Sequence, residues 1–412
     1  MSPVQTPLQS EFTRTFAEID YAGFAAELDA LQARLMADLG EKDLRHLGKM
    51  ERWGKASTLL GYATAWMLPN PLSAFLISLG NVTRWGLFMH HIGHRGFDRV
   101  PNVPPRWHSK TFAKGWRRWI DWPDWLMPEA WKFEHNTLHH SHTGERLDPD
   151  LMEDRVRLMR ETPAGMPELL WSLMKYPVAT FVMCTWKISY YAPNTLWMQQ
   201  LRLSRPGRQG LEAKVIHQPA IFHGAPLWWP FSKAGMEFWT RCVLPYSLLR
   251  FVLLPLLFLP LGPQASLFVL LNSLLAELIT NLHTFAIIAP NHSGEDLYRF
   301  EGRVTDKAEY YVRQVTGSVN YTGGSDVADF FQAWLNYQIE HHLWPDMPLL
   351  KLREAQPEVQ AICERYGVPY VIEPLPKRVW KMLRLLYGKS MMHQGKTLQK
   401  GERGRLSSLQ ST

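Results

Sequence analysis

Cysteine is scarce in this sequence: Cys184, Cys242 and Cys363 are the only three in 412 residues. An odd number at wide spacing builds neither a disulfide framework nor a thiolate metal site, and it suits a reducing compartment. The N-terminus, MSPVQTPLQSEFTRTFAEID, lacks the basic stretch and apolar run of a secretory signal. No G-x-G-x-x-G occurs, so no built-in nicotinamide or flavin site is expected. Glu-x-x-His, with which bundle helices hold carboxylate-bridged iron pairs, is absent too.

What is present is unevenly distributed. A mean hydropathy of −0.22 would suit a soluble protein, yet residues 56–83 contain no charge over 28 positions. One membrane span takes about 20 apolar residues. Pro-Asn-Pro at 69–71 breaks any helix there, so a tight helical hairpin extending to about Met89 is predicted. Residues 243–262 and 263–290 meet at Gly262-Pro263 and carry Arg250 and Glu277 as their charges, which predicts a second hairpin. The stretch 169–186 is cut by Lys175 and is expected at the interface rather than across the bilayer. The 18 tryptophans fit such an interface, because the indole has one apolar edge and one that hydrogen-bonds.

Residues 11–50 alternate apolar and charged positions at helical spacing. From residue 375 onward nine Lys/Arg face only Glu402, more than the net charge of +7 for the whole chain. Such a tail could meet nucleic acid, but beside a membrane an anionic lipid surface is the better partner and no nucleic acid is expected. The expected fold is an all-α integral membrane protein with about four transmembrane helices in two hairpins. Residues 1–55 form an amphipathic cytosolic segment, 56–385 the membrane domain, and 386–412 a basic, disordered tail.

Most of the sixteen histidines fall in four short stretches: HHIGH (90–94), HNTLHHSH (135–142), HTFAIIAPNH (283–292) and QIEHH (338–342). Residues four apart on a helix lie about 40° apart, so His90 with His94, and His135 with His139, could each grip one ion. His140 and His342 lie one step further round and could reach a second. A lone histidine on an apolar face is ordinarily a core residue; four clusters beside membrane exits are not so easily explained. Imidazole suits Zn, Cu, Fe and Ni, and more than four candidate ligands point to two ions. The two sides of the cluster, before and after 243–290, can meet only if that region crosses an even number of times.

HHIGH, HNTLHH and QIEHHLWPDMP together resemble the three histidine boxes of membrane fatty-acid desaturases, H-x3-H, H-x2-3-H-H and Q/H-x2-H-H. The glutamine heading the third box resembles the front-end members, and the likeness covers roughly residues 57–385. The resemblance implies iron ligands at His90, His94, His135, His139, His140, His341 and His342. It adds His292, with His283 as a competitor, and Gln338 where many relatives have His. His91 and His142 fall outside the pattern and are expected near the ligands or at the surface. His46, His108, His217, His223 and His393 match no box.

The implied cofactors are two iron ions, with O2 as co-substrate, and the implied substrate is a fatty acyl lipid or acyl thioester. Iron-bound histidines commonly donate their second ring N–H to a carboxylate; Asp98, Glu134, Asp148, Asp150 and Glu340 are candidates. The His-Pro-Gly-Gly signature of a fused cytochrome b5 domain is absent, so an external donor of ferredoxin or cytochrome b5 type is expected. The implied site faces the cytosol. A hydroxylase on the same scaffold shares the boxes. A membrane metal-binding or transport protein would place its ligands near the bilayer midplane instead.

Overall fold

The computed structural model describes residues 13–156, 165–205 and 225–397 continuously, with a few further positions such as Met159 and Arg403. His217, His223 and most of the basic tail beyond 397 lie outside the described residues.

Strand β1 (Thr13–Thr15) leads into helix α1 (Tyr21–Ala37), where Asp20 accepts a hydrogen bond from the Gly23 amide at 3.0 Å. Tyr21, Phe24, Leu28, Leu31 and Leu35 recur at three- and four-residue steps and are buried. Helix α2 (Glu41–Ala65) then runs 25 residues without a break. It passes straight through residue 55, where the sequence suggested a boundary. Its first half buries Leu47 and Met50; its second half leaves Leu59 and Leu60 exposed.

The chain reverses at Pro-Asn-Pro as expected. Asn70 caps helix α3 (Pro71–Val82) by accepting from the Ser73 amide at 2.8 Å, and Pro71 occupies the first helical position. The two helices press closely together. A Cβ added to Gly61 would lie 2.7 Å from Ile77 Cγ1 and 2.8 Å from the Ile77 backbone nitrogen, so glycine is needed there.

Among the described residues two helices are long and apolar enough to cross a membrane: Lys233–Leu261, 29 residues, and Pro263–His292, 30 residues. Gly262 turns the chain between them at φ 114°, a conformation suited to glycine. Leu267, Leu271, Leu274, Leu278 and Leu282 form an exposed stripe along one face of the second. Water does not tolerate such a stripe; lipid does. Residues Glu168–Trp186 form a helix against this one, with Trp186 Nε1 donating to the Asn281 carbonyl at 3.0 Å.

The all-α expectation needs one amendment. The described residues include five short strands, three in a parallel sheet of order β1-β5-β2 and two in the pair β3-β4. β2 is Tyr298–Phe300, β3 Asn320–Tyr321, β4 Ile372–Glu373 and β5 His393–Lys396. β5 lies within the tail expected to be disordered. Too short and polar for an alternating pattern, it takes its order from main-chain pairing with both neighbours.

Candidate metal centre

Every histidine of the three boxes is buried, and so is His292 of the remaining stretch. The first box follows from a local widening of the backbone. Helix α3 passes into a π-helix over Thr83–Met89 before the short helix His90–Gly93. The second box lies on another π-helix, Phe133–His139, continued by His140–His142. Hydrogen bonds from i to i+5 widen the turn by about one residue. Residues five apart, His135 and His140, thereby return to one side instead of diverging.

The result is two adjoining groups. His90, His94, His135, His140 and His341 each offer a ring nitrogen within 4.8 Å of the others, and so do His139, His140 and His342. His140 belongs to both. His292 joins the second group, its ring centroid 4.6 Å from His139 and 4.4 Å from His342. The Gln338 amide nitrogen lies 3.0 Å from His292 Nε2. His283 is elsewhere: its Nε2 donates to the Phe331 carbonyl at 2.7 Å. His91 is buried, with Nδ1 donating to the Leu87 carbonyl, and His142 does likewise to Leu138. His46 packs on Trp334, His108 faces Asp98, and His393 sits in β5.

In the second group every ring but His140 is turned by a partner on its outer nitrogen. His139 Nδ1 donates to Asp148 at 2.8 Å, His342 Nδ1 to Gln314 Oε1 at 2.8 Å, and His292 Nδ1 to the Gly317 carbonyl at 3.0 Å. Each Nε2 lone pair therefore points inward. Of the five candidate carboxylates, Asp148 and Asp150 face histidines of the cluster; Asp150 is 3.6 Å from His139 and 3.9 Å from His135. Asp98 accepts from Ser109, Glu134 from Tyr191, and Glu340 from Tyr370 and Asn320. Gln314 was not legible in the sequence; it sits on the helix Lys307–Thr316 with nothing to mark it.

The donor set fits a cation. Buried nitrogens with no hydrogen-bond partner include His94 Nε2, His139 Nε2, His342 Nε2 and both nitrogens of His140 and His341. Each such orphan costs roughly 1–3 kcal/mol unless something accepts its lone pair. Burial pushes His135, His140, His341 and His342 well below the usual imidazole range, so their lone pairs are free at neutral pH. At His139 burial also opposes the charge, but Asp148 and Asp150 outweigh it and the pKa is raised. Neutral, preorganised imidazoles are what a divalent transition metal takes.

Beside the histidines lies an apolar cavity of about 110 Å³, lined by Met152, Ala179, Met183, Trp186, Phe285 and Leu386, among others. It reaches Asp150, Tyr191 and His292, which also line a smaller space of about 30 Å³ against His90, His135, His139 and Gln338. An unbranched apolar chain entering the first space would meet the histidines through the second.

Glu340 gives a separate test of burial. Burial pushes its carboxyl up to about 7 despite donors from Tyr370 at 2.6 Å and Asn320 at 2.8 Å. Its ordinary value is 4.5. A pKa raised by folding contributes stability that is full below the ordinary value and lost as pH rises through about 7. Metal-free protein in detergent should therefore lose up to about 3 kcal/mol between pH 5 and pH 8 from this group. Glu340→Gln should flatten that part of the unfolding curve; an unchanged slope would place the titration elsewhere.

Comparison with known proteins agrees with the site. A family model described as fatty acid desaturase matches residues 64–374. An NADPH-dependent stearoyl-CoA 9-desaturase from Mycobacterium tuberculosis is 25% identical over 369 residues, covering 86% of this chain and 76% of that protein. A delta(6)-fatty-acid desaturase from Caenorhabditis elegans is 27% identical over 274 residues, 64% of this chain and 52% of that one. A delta(8)-fatty-acid desaturase from Euglena gracilis is 33% identical over 107 residues, 26% and 25% of the two chains. Because the matched region takes in all four histidine stretches and most of the chain, this protein belongs to the fatty acid desaturase family and is an oxidoreductase.

Proposed function

We propose that the protein is an O2-dependent desaturase of the front-end type, acting on a lipid- or thioester-linked acyl chain at a di-iron centre. The ligands in this reading are His90, His94, His135, His139, His140, His292, His341, His342 and Gln338. The observation that carries it is the set of inward, unpartnered ring nitrogens opening onto an apolar cavity. Gln338 heads the third box with an unsatisfied Oε1, which suits an oxygen ligand or a bound water.

An alkyl C–H far from any activating group needs a stronger oxidant than side chains supply, and iron with O2 supplies it. The chain's own residues do the rest. Met183, Trp186 and Phe285 hold an acyl chain and keep water out. Asp148, Gln314 and the Gly317 carbonyl fix three imidazoles so that no reorientation is needed during turnover. About four transmembrane helices in two hairpins would set the histidines on the cytosolic face. The mycobacterial relative is named for NADPH dependence. This sequence has no glycine-rich dinucleotide fingerprint, so its electrons would come through a separate carrier of ferredoxin or cytochrome b5 type.

The test is a fatty-acid profile, by gas chromatography with double-bond localisation, of cells expressing the wild type beside His341→Ala. A new unsaturated species only in the wild type supports the reading and gives the bond's position. A hydroxylated product would move the chain to the oxygenases that share its scaffold.

A further inference from the structure

Tryptophan links the histidine cluster to a second, separate cleft at the surface. The buried Trp131 ring stacks on His135, with centroids 4.7 Å apart and planes at 20°. It also meets His90 and His94 edge-on at 5.8 and 5.9 Å. Behind it lies Trp122, fully buried, its ring 5.6 Å from Trp131. The Trp122 carbonyl accepts from the Arg118 guanidinium at 2.5 Å. Arg118 in turn floors a cleft of about 540 Å³ whose walls include Lys114, Trp119, Glu129, Lys132 and Arg241.

The charges of this cleft do not cancel. Glu129 and Glu237 are both taken by Arg241, at 2.6 and 2.8 Å. Asp98 accepts from the Ser109 amide and hydroxyl. Lys132 feels both Lys114 and Arg95 through space, as well as Asp98 and Glu129, and among the described residues none of the three cations has an ion-pair partner within 4.0 Å. Lys114 and Arg95 are exposed and Lys132 is half-buried.

A cationic cleft recognises anions in general. Two buried indoles in contact, tilted at 55° to each other, lead from it to an imidazole of the candidate metal centre, and this suits a partner that delivers electrons, because tunnelling falls steeply with the gap between conjugated groups. We infer that this cleft is the docking site of an acidic one-electron carrier protein, with Trp122 and Trp131 relaying each electron to His135. The inference rests on the di-iron reading above. Two carrier molecules are each oxidised by one electron per turnover. Those two electrons, two protons from solvent and two hydrogens from the acyl chain reduce O2 to two waters as the C=C bond forms.

The experiment uses a plant-type [2Fe–2S] ferredoxin with detergent-solubilised full-length protein. Binding of oxidised ferredoxin is measured first, without regard to iron content. Lys114→Glu combined with Lys132→Glu should weaken it at least about tenfold at low salt and flatten its salt dependence. Anaerobic stopped-flow on iron-loaded protein then follows ferredoxin reoxidation. Trp122→Leu should slow electron arrival at saturating ferredoxin by about fivefold or more, with binding and iron content unchanged, and Trp122→Phe should restore most of the rate. Reduction by methyl viologen radical should stay within about twofold for the charge variants. Unchanged ferredoxin binding in the double variant overturns the docking site. Coenzyme A, rather than ferredoxin, lost from the cleft on charge reversal would overturn it as well. Protein that holds no iron yet binds ferredoxin through Lys114 and Lys132 would leave the docking standing and sink the metal reading alone.

Discussion

His342→Ala is expected to abolish turnover and to remove metal from the protein while leaving the fold in place. The His342 ring lies 4.2 Å from His140 and 4.4 Å from His292, so it bears on both groups of nitrogens. Its loss removes an inward Nε2 and frees Gln314 to turn away. A ligand removed from a histidine site leaves the remaining buried imidazoles without the geometry a transition metal requires. A graded companion distinguishes metal loss from general damage. Gln314→Ala keeps the ligand and removes only its orienting acceptor, so metal affinity should fall by about 10–100-fold rather than vanish. Metal content by plasma emission spectroscopy and product by gas chromatography read the two effects together. Full activity in His342→Ala would end the assignment of this residue.

Ala179→Trp is expected to fill the apolar cavity and stop turnover of long acyl chains while metal stays bound. Ala179 is buried at 3% exposure, and its methyl group faces the space between Met183, Trp186 and Phe285. An indole there occupies volume that the substrate's terminal methylenes would need. Overpacking costs about 1–3 kcal/mol, which a helix with free room on one side can absorb. The helix Glu168–Trp186 is packed on one side only, with Leu169, Leu173 and Phe181 exposed on the other. Activity on C18 chains should fall at least about tenfold, and shorter chains should lose less, because each buried methylene contributes about 0.8 kcal/mol. Undiminished turnover of long chains would mean that they thread elsewhere.

The sequence announced the histidine cluster better than its surroundings. Spacing and the resemblance together marked His90, His94, His135, His139, His140, His341 and His342, because histidines are rare and these are clustered. It did not reveal the π-turns at 83–89 and 133–139, since i to i+5 hydrogen bonding leaves no compositional trace. Proximity along the chain nominated five carboxylates, yet only tertiary packing separates Asp148, on His139, from Glu340, turned to Tyr370. Gln314 and Trp131 escaped notice for the same reason: each lies next to an ordinary-looking neighbour and acquires its partner through space. The hairpin turn at 69–71 and the Gly262 turn were readable because proline and glycine act locally.

The parallel sheet of order β1-β5-β2 has a consequence for biogenesis. Its central strand is the last of the three to be synthesised, and both flanking strands wait with open edges until His393–Lys396 arrives. Unpaired edges invite pairing with other chains. While the ribosome is still making the C-terminal region, β1 and β2 are held apart, and nothing but the closing strand can join them. A chain cut before residue 393 would therefore leave β1 and β2 with two sticky, unjoined edges.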